Sequence, residues 1–586
     1  MTHNISQHII NNQKLLHESV VAECRSLSMS KGRSIEGAHY DHHQLSIINC
    51  PLSIVHCPLS IVHYPLLIAF CLLLSVNAMA QFGGGTGTEN DPYKISSITH
   101  LNTLADNVNG GSYHYEGVYF KVTEDITSTA VSKVIGGGGG SKYFSGIFDG
   151  NNKRIKLGIN ITSEYSQYIG LFGYIKGATI KNVKVEGSLT SAKWYAGSIA
   201  GYATDDCVIE NCSSSVTVTV SSSFAAGIVG NAYNTTITDC TNTGRISGTV
   251  NVGGISGTIN GCTISNCSNT GVVTGASANW IRGGLFGSAS SSDITNCSNT
   301  GNVTGTERVG GIVGTGEAII VANCFNRGTV TGSASCIGGI VGKLLRTSSV
   351  KNCYNTGAIS GGSANAVAGI VGQNNEAAQI QNCYGGNTIS TSSSYKGGIV
   401  GEHYMGTIDH CYYRSGDGVS RVNYDNGGTA TNSTSFTHTN GSTTCTLASS
   451  MYGTTVMLNA LNAWVDAQPG NDYLNWAADN SLENRGMPIF HTCTPVTVSN
   501  FRVTEQGDRY VKIGWDAVAN VTYTLYYGVD DPLDGWEVSS PANPFTAERL
   551  TNGRTYYFVV KPAGDGSTYC TDNPPTDAVS GTPNCP

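Results

Sequence analysis

The chain has 586 residues, 74 of them glycine, with 12% charged residues, 8% aromatics and a formal net charge of −8. That length asks for more than one folded unit, and so many small residues with an ordinary aromatic share point to an ordered β architecture rather than a disordered chain. No dense Lys/Arg run occurs, so the electrostatic footprint of a nucleic-acid binder is missing.

The first feature along the chain is an apolar run, Leu66 to Val76, too short to span a bilayer and followed by the small-residue site Asn77-Ala78-Met79-Ala80. It reads as a signal peptide cleaved after Ala80, which gives a secreted or cell-surface address and no transmembrane segment in the mature chain. About 60 residues precede the run. They carry CPLSIVH twice, as Cys50 to His56 and Cys57 to His63, and no periodicity that would fold. Residues 1–80 are therefore read as a signal peptide behind a mis-called extension, with the true start at Met29 or later.

Residues 81–167 supply an N-terminal cap and a first coil, with Ile98, Leu101, Leu104, Ala105 and Val108 forming the apolar side of a short helix. From Tyr168 the sequence repeats at intervals of 27 to 30 residues. One segment is an apolar pair between small residues, as in Gly227-Ile228-Val229-Gly230 and Gly284-Leu285-Phe286-Gly287. A second ends in Cys212, Cys240, Cys267, Cys297, Cys324, Cys353, Cys383 and Cys411, usually after asparagine. A third reads Gly-x-Val-Thr-Gly, as in Gly271 to Gly275 and Gly301 to Gly305.

Three short strands per repeat cannot bury a face alone and must stack on their counterparts in the next coil. Residues 168–418 thus predict a right-handed parallel β-helix of about nine coils of ~28 residues. The glycines are expected at turns needing positive φ. All 15 prolines lie at or before Pro92 or at or after Pro469, as a long β ladder requires, because proline cannot donate a ladder hydrogen bond.

A cysteine every ~28 residues stacks in line as a buried thiol ladder rather than as a zinc site, which needs ligands two to four apart. The asparagines before them predict an amide ladder at a tight bend. Thr190, Ser247, Thr274, Thr304, Thr331, Ser360 and Ser390 align on the third segment beside an apolar position and point outward by strand alternation. Such a hydroxyl array either binds ice or a glycan or merely solvates the sheet. Asp205-Asp206 is the one carboxylate pair in the coils, and a turn accounts for it as well as catalysis would. No catalytic residue, metal site or cofactor is predicted.

The coil motifs resemble the GLUG repeat, found in proteins on or outside bacteria, including IgA-directed metallopeptidases and adhesins. The resemblance implies a surface binding protein with an unidentified host or matrix glycan or protein as partner. No HExxH is present, so the peptidase activity is not carried over. The runner-up is a polysaccharide lyase or hydrolase built on the helix.

Residues 419–492 carry a helical stripe, Leu458, Leu461, Trp464 and Val465, and are read as the unit closing the last coil. Residues 493–586 change to longer alternating strands. Trp515, Leu550 and Tyr556 carry a resemblance to a fibronectin type III module, which implies a disulfide between Cys493 and Cys570.

Overall fold

The computed structural model describes residues 82–584, apart from positions 112, 139, 162–166, 193, 222, 276–279, 417–418, 440–441, 471, 492–495, 497, 520, 530–531, 533–534, 564–575 and 577. The signal-peptide reading, Ala80 included, and both Cys493 and Cys570 fall outside these residues.

The chain from Tyr93 to His438 winds as a β-solenoid of about eleven turns of about 28 residues. Turns outnumber the nine repeats because Tyr93–Ile95, Tyr119–Val122 and Ile147–Asp149 at one end and Thr429–Thr431 at the other join the stack without carrying the motif.

The first sheet has 13 strands, from Tyr93–Ile95 to Thr429–Thr431, all parallel. Its inward column runs in register through Ile180, Ile209, Ile237, Ile264, Ile294, Val321, Val350, Ile380 and Ile408. All of these are buried, and each stacks on an Ile or Val one coil away. The third sheet repeats the device with Leu189, Val218, Ile246, Val273, Val303, Val330, Ile359 and Ile389.

The second sheet carries the apolar pair, and here each coil contributes two short strands, such as Phe224–Ala226 and Val229–Tyr233. The chain bends between them, so both Ile228 and Val229 point into the core. The flanking glycines do not take positive φ, contrary to expectation. They are needed for close approach. A Cβ on Gly227 would strike the carbonyl of Gly254 and the side-chain amide of Asn242, and one on Gly230 would meet the carbonyl of Gly201.

Left-handed backbone falls instead on the residues before the ladder cysteines. Asn211, Asp239, Asn266, Asn296, Asn323, Asn352, Asn382 and His410 all have φ between 49 and 55°. Asparagine and aspartate tolerate that region better than other side-chain-bearing residues.

At the start, helix α1 (Ile98–Asn109) is capped by Ser97 and buries Leu101, Leu104, Ala105 and Val108 against the first coils. Gly83 and Gly84 cover the edge of the first strand, Gly83 N donating to Lys94 O at 2.8 Å and Lys94 N to Gly84 O at 2.9 Å. At the far end Cys445–Met451 runs antiparallel to Thr434–His438 and ends the third sheet's parallel stack. Helix α2 (Met457–Asp466) follows these strands; it and the residues after it are seated by side contacts. They lie along the flank of the final coils, where Trp476, Met487 and Phe490 pack on Tyr354, Tyr384 and Tyr412. Asn323, Asn352 and Asn382 donate to the carbonyls of Asp472, Leu474 and Leu461.

The C-terminal stretch forms two small antiparallel sheets. Arg502–Gly507, Tyr510–Gly514 and Phe545–Ala547 make one; Trp536–Ser539, Thr522–Gly528, Tyr556–Ala563 and Val579–Gly581 make the other. Val511, Ile513, Trp515, Leu525, Leu550, Tyr556 and Phe558 share one core.

Candidate binding faces

Because the third sheet's strands alternate strictly, the residue after each buried Val or Ile faces out. Thr190, Thr219, Ser247, Thr274, Thr304, Thr331, Ser360 and Ser390 therefore form one unbroken in-register column. Thr219 belongs to it although the sequence motif is degenerate there. Each hydroxyl is exposed or half-buried.

One step round the coil, the eight ladder cysteines are buried and free, as are Cys207, Cys262, Cys336 and Cys445. Each ladder thiol donates to a carbonyl two residues back, for instance Cys353 to Lys351 at 3.1 Å. Burial pushes the Cys212, Cys353 and Cys411 thiols well above their usual range, so they stay protonated and unreactive. The outer amide ladder links Asn211 to Asn182 at 2.7 Å, Asn352 to Asn323 at 2.8 Å and Asn382 to Asn352 at 2.8 Å.

A second amide ladder lies inside. Asn242, Asn269, Asn299, Asn326 and Asn355 are buried, and each of the first four donates to the next at 2.7 to 2.8 Å. Each also donates to the glycine carbonyl two residues on, as Asn299 does to Gly301 at 2.8 Å. The recurring Asn-Thr-Gly behind the cysteines is its sequence signal.

Also unread in the sequence is an aromatic crease on the second sheet. The two strands of each coil meet at the bend, so their outward side chains converge. Tyr168, Tyr195 and Phe224 stack up one side in register, and Tyr174 and Tyr202 up the other. Ring centroids lie 5.7 Å apart for Tyr168 and Tyr195, 4.8 Å for Tyr195 and Phe224, and 5.3 Å for Tyr174 and Tyr202. Across the crease Tyr168 and Tyr202 stack at 5.1 Å and 17°. Partial burial pushes the Tyr174 hydroxyl up to about 12. The columns come from spacing of ~28 residues, beyond the reach of local pattern reading.

Asp205 and Asp206 both take left-handed φ at a turn. The Thr204 hydroxyl and then Lys176, 3.1 Å away, hold the Asp205 carboxyl below its usual range. This is the geometry of a turn. Among the described residues no group of three His, Cys, Asp or Glu side chains is placed to hold a metal ion, and no helix is long and apolar enough to cross a membrane.

The GLUG motif matches the chain at residues 193–219 and 333–360. Over 112 residues the chain is 36% identical to a protein of Evansella cellulosilytica named as a Gly-rich membrane protein, covering 18% of this chain and 12% of that one. It is 29% identical over 118 residues to Halomucin of Haloquadratum walsbyi, covering 18% of this chain and 1% of that one. The chain thus spans only a small part of these relatives. A solved structure named as an immunoglobulin A1 protease of Bacteroides ovatus aligns with 70% of this chain and 95% of its own, at 18% identity and a TM-score of 0.29.

Proposed function

We propose that this protein works outside the cytoplasm, secreted or held at the cell surface, as an adhesive rod that binds without turning its ligand over. The observation that carries this reading is the unbroken outward hydroxyl column from Thr190 to Ser390. A surface that repeats one side chain at every coil suits a long or repetitive ligand, a host or matrix glycan or protein, better than a single small substrate. The GLUG matches at 193–219 and 333–360 and the relatives' names are consistent with a surface setting.

The C-terminal sheets act as a fibronectin type III-like contact or stalk module. Their three- and four-stranded antiparallel order supports this. So does the Tyr556 hydroxyl, which accepts from the backbone of Thr551 at 3.1 Å. A Cys493–Cys570 bond would staple it in an oxidising compartment.

The test is an array of host-matrix proteins and glycans probed with the whole mature chain, run beside reducing-end and unsaturated-product assays on the same polysaccharides. Retention on at least one ligand with no product is expected. Product release from any polysaccharide, or silence across the array, would overturn the reading.

A further inference from the structure

Folding of the second sheet does not call for aromatic residues in the crease, because the middle coils build the same positions without them, an aromatic returning to the column only at Tyr424 on the last strand. In register, Tyr195 and Phe224 are followed by Asn251, with Val252 beside it matching Ala225. Tyr174 and Tyr202 are followed by Asn231, Thr258 and Ser288. Asn251 and Thr258 close the crease with one hydrogen bond at 3.0 Å, where the coils before them spend five large rings. The rings are half-buried against one another, and Tyr174 also packs on Tyr143 at 5.6 Å. Trp194, beside Tyr195, stands 55% exposed at their rim.

Resting on the binding reading above, we propose that this aromatic crease is a binding site for an extended, uncharged, β-linked polysaccharide. The apolar faces of pyranose rings stack on aromatic rings, and their hydroxyls meet donors and acceptors at ring edges, which tyrosines supply. Successive rings in the crease stand 4.8 to 5.7 Å apart, a step set by the coil repeat and of the same size as the rise per sugar in such a chain. Coil after coil can thus take sugar after sugar. Lys176 and Asp205 beside the crease neutralise each other at 3.1 Å, which favours an uncharged polymer over an acidic one.

The test uses the whole mature chain in affinity electrophoresis through gels containing hydroxyethyl cellulose, xyloglucan, galactomannan or, as the acidic arm, polygalacturonate. The key variant is Tyr195→Asn/Tyr202→Thr, which installs the residue types found at the same positions downstream. Wild type should be retarded by at least one neutral polymer, and the variant's association constant should fall at least tenfold while its melting temperature holds. Should that variant unfold, Trp194→Ala takes its place, and it must weaken retention at least threefold.

Equal retention of the variants, retardation by polygalacturonate alone, or self-association of the wild type that the substitutions abolish would overturn the proposal. If the chain holds an array ligand that these substitutions leave untouched, the crease assignment fails and the adhesive reading stands. If it holds nothing, both fail.

Discussion

Arg282 occupies a place that the fold reserves for aliphatic residues. Its strand neighbours in the inward column are Val252 and Val309, yet its side chain is fully buried. Only its Nη2 is matched, to Thr249 O at 3.0 Å, while Nε and Nη1 find no partner among the described residues. Burial pulls the guanidinium down to about 10. Gly275 and Gly305 make room, since a Cβ on either would collide with the Arg282 side chain. A buried ion without a counter-charge costs more than an apolar side chain of like volume. Arg282→Met is therefore expected to stabilise the chain by roughly 1–4 kcal/mol, read as a rise in melting temperature. A fall would show that the interior accommodates the charge at no net cost.

His403 poses the complementary case. It is buried, with Nδ1 3.0 Å from the Asn374 amide and Nε2 unpaired among the described residues. Burial lowers its pKa below 6.5, while Asp425 opposes and Arg421 reinforces that shift. The folded state thus holds the neutral ring, and the unfolded state binds the proton first as pH falls. Its contribution is intact above 6.5 and drains away as acid carries the pH through the folded value. His403→Gln should flatten the acid limb of a melting-temperature profile below pH ~6.5 and leave the neutral plateau nearly unchanged.

At the scale of the coil, what the sequence made legible were positions that repeat in type. The Ile, Cys and outward Thr columns follow from alternation and a fixed interval, and the backbone places them in line. The glycines were legible as a pattern but not in their reason, because close approach between coils depends on neighbours ~28 residues away. The inner amide ladder carries more of the fold than the pattern suggested. Asn299 gives one bond to Asn326, accepts one from Asn269 and gives one to Gly301. Asn299→Ala leaves one N–H of the Asn269 amide, the Asn326 side-chain oxygen and the Gly301 carbonyl unmatched in the core, at ~1 kcal/mol or more for each. Urea unfolding should show a loss of about 2–4 kcal/mol, whereas Asn296→Gly, which keeps the left-handed bend, should lose under ~1 kcal/mol.

Across the whole molecule each coil touches only its neighbours, so stability is a sum along the stack rather than a property of one core. The flank segment breaks that rule. Trp476 packs on Tyr354 and Tyr384 and donates Nε1 to Asn352 at 2.7 Å. Tyr354 and Tyr384 are themselves stacked at 5.2 Å and 2°. Residues distant in sequence thereby clamp coils that would otherwise open one at a time from the end where the first two sheets finish. No repeat in the sequence announces this clamp, because its partners meet only after both have folded. Trp476→Ala removes the ring, at about 3–5 kcal/mol for a buried tryptophan, and leaves Asn352 one partner short. Native-state hydrogen exchange should then show the coils from Tyr354 to Phe436 losing protection while those from Ile180 to Ile294 keep theirs. Uniform loss along the stack would mean that the solenoid unfolds as one unit and that the flank contributes no local clamp.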